Sequence, residues 1–159
     1  MESVTPQLVL ISVLLVLSAL FSATEAALLT FGPGLMHQLL DEERRPSRLL
    51  SMWRDRPNQV LAALLIANNA VNILASAVAT NFAATTLAAL GVEDSGGWGV
   101  AIAVGVMTVL IVIFSEVLPK TFAKHNSRRM LPFFSVSYLF CVLFRPVAFL
   151  FQRSTGWII

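Results

Sequence analysis

A chain of 159 residues is ordinarily one soluble domain, but here 57% of the residues are apolar and only 13% are charged, with a mean hydropathy of +0.77. A globular domain is about one quarter charged, so this chain has too few polar groups to cover a water-facing surface, and the bilayer must be part of its solvent. Soluble enzymes, secreted disulfide scaffolds and disordered tails are excluded, and the single cysteine, Cys141, permits neither an intrachain disulfide nor a thiolate metal cage.

Hydropathy predicts three spanning helices. Leu8 to Thr30, Val60 to Leu90 and Gly99 to Pro119 each exceed the roughly 20 residues that cross the hydrocarbon. Glu2 gives no basic leader, and the first stretch outruns a secretory apolar core, so it reads as a span and not a cleaved signal. Gly32 and Pro33 stop the first helix, and Pro57 suits the first turn of the second. The connection from Pro33 to Trp53 mixes Leu35, Met36, Leu39, Leu40, Leu49 and Leu50 with charges, which predicts interfacial, amphipathic helices.

After the third span, Leu131 to Phe144 is a 14-residue apolar run; Arg145 and Pro146 interrupt it before Val147 to Ile159. Each half is too short to cross. The segment 129–159 is therefore expected as a broken belt helix along the cytoplasmic face, its arginines reaching headgroups. The alternative is a fourth span, which would carry Arg153 outside.

The basic pI of about 9.2 invites a nucleic-acid reading, but the positions of the charges answer it. Arg44, Arg45, Arg48, Arg54 and Arg56 lie between spans one and two, and Lys120, Lys124, Arg128 and Arg129 follow span three. The opposite loop, Gly91 to Trp98, has Glu93 and Asp94 and no basic residue. The positive-inside rule then places the amino terminus outside and the carboxyl terminus in the cytoplasm. The arginines are topology determinants; no nucleic-acid partner is expected.

Polar groups at membrane depth are costly, about 2.5 to 3.5 kcal/mol for an aspartate at a helix centre, and each demands a reason. On the first span Ser18, Ser22 and Glu25 share one face at i, i+4 and i+7; on the second, Asn68, Asn72 and Ser76 form another stripe at intervals of four. Amides on adjacent turns stand about 6 Å apart, so both oxygens can converge on one small object, or simply bond a neighbouring helix. On the third span Pro119 has no N–H for the carbonyl of Ser115, four residues earlier, so that turn should open beside Glu116. The plainer reading is a kink with Glu116 paired to Lys120. Together Ser22, Asn68, Asn72, the Ser115 carbonyl and Glu116 form an all-oxygen donor set, suited to Mg2+, Ca2+, Mn2+ or Na+ over zinc, copper or iron. His37 and His125 fall in the connections, away from it. With 11 alanines among the 31 residues from Val60 to Leu90, the second helix can pack closely, and three spans scarcely enclose a pathway, so a two-fold homodimer is expected.

Three segments, one per span, carry a family resemblance. Phe21-Ser22-Ala23-Thr24-Glu25-Ala26-Ala27-Leu28 resembles the FSxxExAL signature of the CorB/CorC and cyclin-M (CNNM) transmembrane domain. Asn68-Asn69-Ala70-Val71-Asn72 resembles its NNxxN segment, and Phe114-Ser115-Glu116-Val117-Leu118-Pro119-Lys120 resembles its FGExxPK motif. Ser115 stands where that family usually has glycine, which narrows the site while leaving a backbone carbonyl ligand.

The resemblance implies a magnesium exporter that exchanges Mg2+ for Na+: a homodimeric, multi-pass protein, expected in a bacterial inner membrane. Its three spans are ringed by a belt helix, and the dehydrated ion is held at Ser22, Asn68, Asn72 and the Ser115 carbonyl, with Glu116 beside them. Such proteins continue into a cytoplasmic CBS pair that binds nucleotide; this chain ends at Ile159, as if truncated. The fold class expected is thus an all-α membrane protein with three transmembrane helices and cytoplasmic-side belt helices. Alternatives are a less selective divalent cation transporter, or an anchor that dimerises a cytoplasmic sensor. A membrane enzyme using Glu116 and Glu25 is disfavoured, since no nucleophile has an adjacent base.

Overall fold

The computed structural model describes residues 4–42, 48–91 and 97–155. Arg44, Arg45 and the acidic pair Glu93 and Asp94, on which the charge asymmetry partly rests, lie outside them. Among the described residues every element is helical: α1 (Val4–Thr30), α2 (Pro33–Glu42), α3 (Arg48–Asp55), α4 (Pro57–Ala89), α5 (Trp98–Val112), a π-helical turn (Ile113–Val117), α6 (Leu118–His125), a 3-10 turn (Ser127–Phe133) and α7 (Phe134–Thr155).

Four helical stretches are long and apolar enough to cross a membrane: Thr5–Thr30, Pro57–Ala89, Trp98–His125 and Ser127–Phe149. Their outer faces carry bare Val9, Val16, Ile73, Ile102, Val106 and Leu139. In water this surface would drive aggregation; in lipid it is the solvated surface. The hydroxyls obey the same logic: Thr30, Thr80, Thr108 and Thr121 each donate to the carbonyl four residues back at 2.7–2.9 Å, which hides their polarity inside the helix.

Helix ends follow local chemistry. Pro57 takes the first turn of α4, where a missing N–H costs nothing. At the other end Gly91, at φ +69°, adopts the left-handed turn after α4, and its N–H donates to the Ala88 carbonyl at 3.1 Å.

Two sequence expectations need correction. The third helical stretch does not stop at Pro119 but runs on to His125: the π turn Ile113–Val117 widens the helix just ahead of the proline, so the ring is taken up without ending the helix. Nor is the last helix broken at Arg145 and Pro146: α7 runs through Pro146 to Thr155. The proline sits on an exposed part of the helix, while Cys141 and Ala148, seven residues apart on one face, are both buried and hold the helix against the bundle.

Two apolar cores result. The larger joins Phe21, Leu28 and Phe31 of α1, Met36 and Leu39 of α2, Leu49 and Leu50 of α3, Val60 and Leu64 of α4, Ala123, and Phe134 and Cys141 of α7. Helices α2 and α3 are therefore amphipathic, with Met36, Leu39, Leu49 and Leu50 inward and Arg48, Arg54 and Asp55 outward. The smaller core holds Ile11 and Leu14 of α1, Ala75 and Ala79 of α4, and Ile111 of α5. Helix α7 is fixed to α1 by a Thr24–Ser137 hydroxyl pair at 2.8 Å, by an edge-on Phe21–Phe140 contact and by Phe31 against Phe134.

Candidate functional site

The polar residues of the spans lie at one level, between the two cores. On α1, Ser18 and Ser22 follow Leu14 of the smaller core and flank Phe21 of the larger. On α4, Asn68 and Asn72 fall between Ala67 of the larger core and Ala75 of the smaller. On the third stretch, Ser115 lies between Ile111 and Ala123, again one from each core. Ser18 is the fifteenth residue of the 27 in α1, so about 20 Å of helix lies on either side of it.

Antiparallel packing of α1 on α4 brings these groups into contact. The Ser18 hydroxyl lies 2.8 Å from Asn68 Oδ1 and 2.6 Å from Asn72 Oδ1, and the Ser22 hydroxyl lies 3.5 Å from Asn68 Oδ1. Ser18, Ser22 and Asn68 are all buried. Ser18 has a single hydroxyl proton, so it serves one amide oxygen at a time. Two amide oxygens and two hydroxyls thus meet at one point: one hydroxyl proton is available for each amide oxygen, and the same four oxygens are hard donors of the kind a cation takes. Among the described residues no three His, Cys, Asp or Glu side chains gather as a metal cluster; the donors are neutral hydroxyls and amides.

The opened turn is present where Pro119 predicts it. The Leu118 N–H reaches back five residues to Ile113, making Ile113–Val117 a π turn, and such single turns concentrate at functional sites. The turn packs on α1. Ser115 is fully buried there, and its Oγ has no hydrogen-bond partner. In an apolar interior an unpaired hydroxyl costs about 1–3 kcal/mol, so this position too asks for a ligand.

Glu116 faces elsewhere. Its Oε1 accepts from Lys120 Nζ at 3.1 Å, and the same ammonium lies 3.3 Å from Glu25 Oε2. The Glu25 contact is close enough for an ion pair, yet that oxygen has no well-angled hydrogen bond. Lys120 thus bridges the two intramembrane carboxylates of α1 and the π turn, at the edge of a cavity lined by Glu25, Thr30, Lys120 and Lys124.

Of the residues singled out from sequence, the structure joins Ser22 to Asn68 directly and links Asn72 to them through Ser18. It packs the turn that carries Ser115 on α1 without a hydrogen bond from the Ser115 side chain to that group, and engages Glu116 with Lys120. Two features were missed. Ser18 was placed on the right face but not among the donors, although it is the hub of the contacts. Glu25 was not paired with Lys120, a contact between residues 95 positions apart in sequence that no local spacing announces.

Comparison with known proteins bears on the whole chain. Residues 9–159 match the family described as "CNNM: Cyclin M transmembrane N-terminal domain". The chain is 34% identical over 149 residues to a UPF0053 protein of Haemophilus influenzae, an alignment covering 92% of this chain and 33% of that protein. It is 36% identical over 107 residues to the UPF0053 inner membrane protein YfjD of Escherichia coli, covering 67% and 23% respectively. A chloroplastic DUF21 domain-containing protein of Arabidopsis thaliana is 34% identical over 141 residues, covering 89% and 19%. The chain spans a third or less of the length of these relatives. It is a multi-pass membrane domain, and it belongs to the cyclin M transmembrane N-terminal domain family.

Proposed function

We propose that this domain carries Mg2+ across the membrane, exporting it in exchange for Na+ by alternating access. In this reading the dehydrated ion is held by Ser22, Asn68, Asn72 and the backbone carbonyl of Ser115, with the Ser18 hydroxyl among the donors. Glu116 joins them as its carboxylate trades Lys120 for the ion. The observation that carries the proposal is the convergence of Ser18, Asn68 and Asn72 oxygens at 2.6–2.8 Å, at the level of a buried, unpartnered Ser115 on a π turn.

The donor chemistry supports a hard cation. Neutral oxygens bind Mg2+, Mn2+, Ca2+ or Na+ in preference to softer metals, and a site with one carboxylate nearby holds a divalent ion weakly enough to release it. Mg2+ sheds water reluctantly, so the crowded oxygens lower the step that is otherwise slowest.

The working unit in this proposal is a homodimer in a bacterial inner membrane, with a cytoplasmic CBS pair in the full-length protein. The proposed topology has three spans, the amino terminus outside and α7 as a belt. Two of the α7 contacts favour the belt. Phe134 packs on Phe31 at the cytoplasmic end of α1, and Arg145 shares a cleft with Arg56, just before α4 begins. In the proposed topology both contacts fall at helix ends on the cytoplasmic side.

The test is Mg2+ flux in proteoliposomes. Asn72→Ala should abolish flux while the protein stays a folded dimer; undiminished flux would overturn the site. The Ser18 hydrogen bonds also suit an anchor for a cytoplasmic sensor, and binding of Mg2+ by the isolated domain separates the two, since an anchor needs none.

A further inference from the structure

We propose that a cleft between α3, the start of α4 and α7 binds one anionic phospholipid. Its phosphate lies among Arg48, Arg56 and Arg145, and an acyl chain lies along α7. This site is remote from the Ser18–Asn68–Asn72 cluster and does not rest on the transport reading.

Two adjoining cavities define it. One, of about 410 Å3, is lined by Arg48, Arg56 and Arg145 with Asp55 and Tyr138. The other, of about 380 Å3, is lined by Val142, Pro146, Phe149 and Gln59, and again by Arg56 and Arg145. The shared arginines stand at the seam between a polar chamber and an apolar one. On α7 the positions 138, 142, 145, 146 and 149 form a single stripe at helical spacing, so one face of that helix offers a hydroxyl, a guanidinium and then hydrocarbon. A molecule with a charged head and an apolar tail fits this order.

Charge selects the sign of the head. Among the described residues, none of the three arginines has a carboxylate within ion-pair distance. The lone acid of the lining, Asp55, is already joined to Arg54 at 2.8 Å, which holds its carboxyl below the usual range. Three guanidinium groups therefore face one space with a single carboxylate, itself engaged by Arg54, to offset them. Guanidinium matches phosphate oxygens two at a time. Arg56 also stands just before the first turn of the 33-residue α4, whose amino-terminal dipole favours an anion. Gln59 Oε1 is buried without a partner, and a headgroup hydroxyl would satisfy it, which favours phosphatidylglycerol chemistry over phosphatidylcholine.

Native mass spectrometry of the full-length protein, titrated with phosphatidylglycerol, phosphatidylcholine or inorganic phosphate, tests the site. The wild type should retain one phosphatidylglycerol per chain, with at least tenfold preference over phosphatidylcholine and no displacement by millimolar phosphate. Arg56→Gln/Arg145→Gln should weaken retention at least tenfold, and Arg128→Gln/Arg129→Gln, an equal loss of charge elsewhere, should leave it unchanged. Val142→Trp keeps every charge and fills the apolar chamber from an exposed position; it too should reduce retention, which covers the case of a misfolded arginine variant. Equal losses in the two double-arginine variants would overturn the proposal in favour of diffuse surface charge. So would equal binding of phosphatidylcholine, and displacement by phosphate would replace the lipid with a soluble anion.

Discussion

Asn68→Ala separates an ion site from interhelical adhesion, because its structural cost can be bounded. Asn68 is 4% exposed, and its Oδ1 takes the Ser18 hydroxyl at 2.8 Å and approaches that of Ser22 at 3.5 Å. In the variant Ser18 still donates to Asn72 at 2.6 Å, while the Ser22 hydroxyl loses its long contact to Asn68 and can turn to the carbonyl four residues back in its own helix. The loss is then one well-formed interhelical hydrogen bond and one long one at 3.5 Å, each about 0.6 kcal/mol on average and about 1.7 at most in a membrane. The vacated volume adds roughly 1 kcal/mol or less. A domain with a stability of about 5–15 kcal/mol stays folded after such a loss, and adhesion alone leaves flux per folded molecule unchanged. If the amide oxygen is a ligand, flux should fall at least about tenfold, equivalent to ~1.4 kcal/mol in binding or barrier. The assay is Mg2+ flux into dye-loaded proteoliposomes, scaled to the dimer recovered by size exclusion. Flux within twofold of wild type, per folded dimer, would mean that the Asn68 amide is helix adhesion and not an ion ligand.

Other expectations follow from single contacts. Lys120→Met leaves Glu25 and Glu116 without their shared counter-ion. Full burial would make such a loss cost about 3–5 kcal/mol, but these side chains are 18% and 36% exposed, so solvent screening should bring it to about 1–2, read as a lowered midpoint in detergent-resistance unfolding. Pro119→Ala restores a donor to the opened turn and should raise thermal stability while reducing flux; a variant that keeps both at wild-type values would argue against a functional π turn. Thr24→Val removes the hydroxyl pair to Ser137 and should cost about 0.6–1.7 kcal/mol without altering Mg2+ binding, checked by thermal melting and titration. Cysteines placed at Arg54 and Gly97 in a Cys141→Ser background should label from the cytoplasm and from outside respectively; labelling from one side only would overturn the proposed topology.

The long-range features of the fold were the hardest to read from sequence. Hydropathy found α1, α4 and α5 because twenty apolar residues in a row have few other uses, and spacing by four put Asn68 and Asn72 on one face without reference to any neighbour. The absence of an N–H in Pro119 announced the opened turn for the same local reason. Pro146 misled because its consequence depends on where it falls: exposed between buried Cys141 and Ala148, it is carried by packing that no propensity records. The role of Ser18 depends on α1 lying antiparallel to α4 in one register, and the Glu25–Lys120 pair on α1 meeting α6. Both are products of tertiary assembly, and only the polar stripe itself hinted at them.

The central claim is that oxygens from three helices meet a bare cation midway through the lipid. A map of the full-length dimer in saturating Mg2+, fine enough to resolve ordered waters, tests it most directly. The expected result is density among Ser22, Asn68, Asn72 and the Ser115 carbonyl, with distances of about 2.0–2.1 Å, which distinguish Mg2+ from the ~2.3–2.6 Å of Ca2+. Amide oxygens turned away from that point, with no ion among them in a preparation that transports Mg2+, would contradict the account.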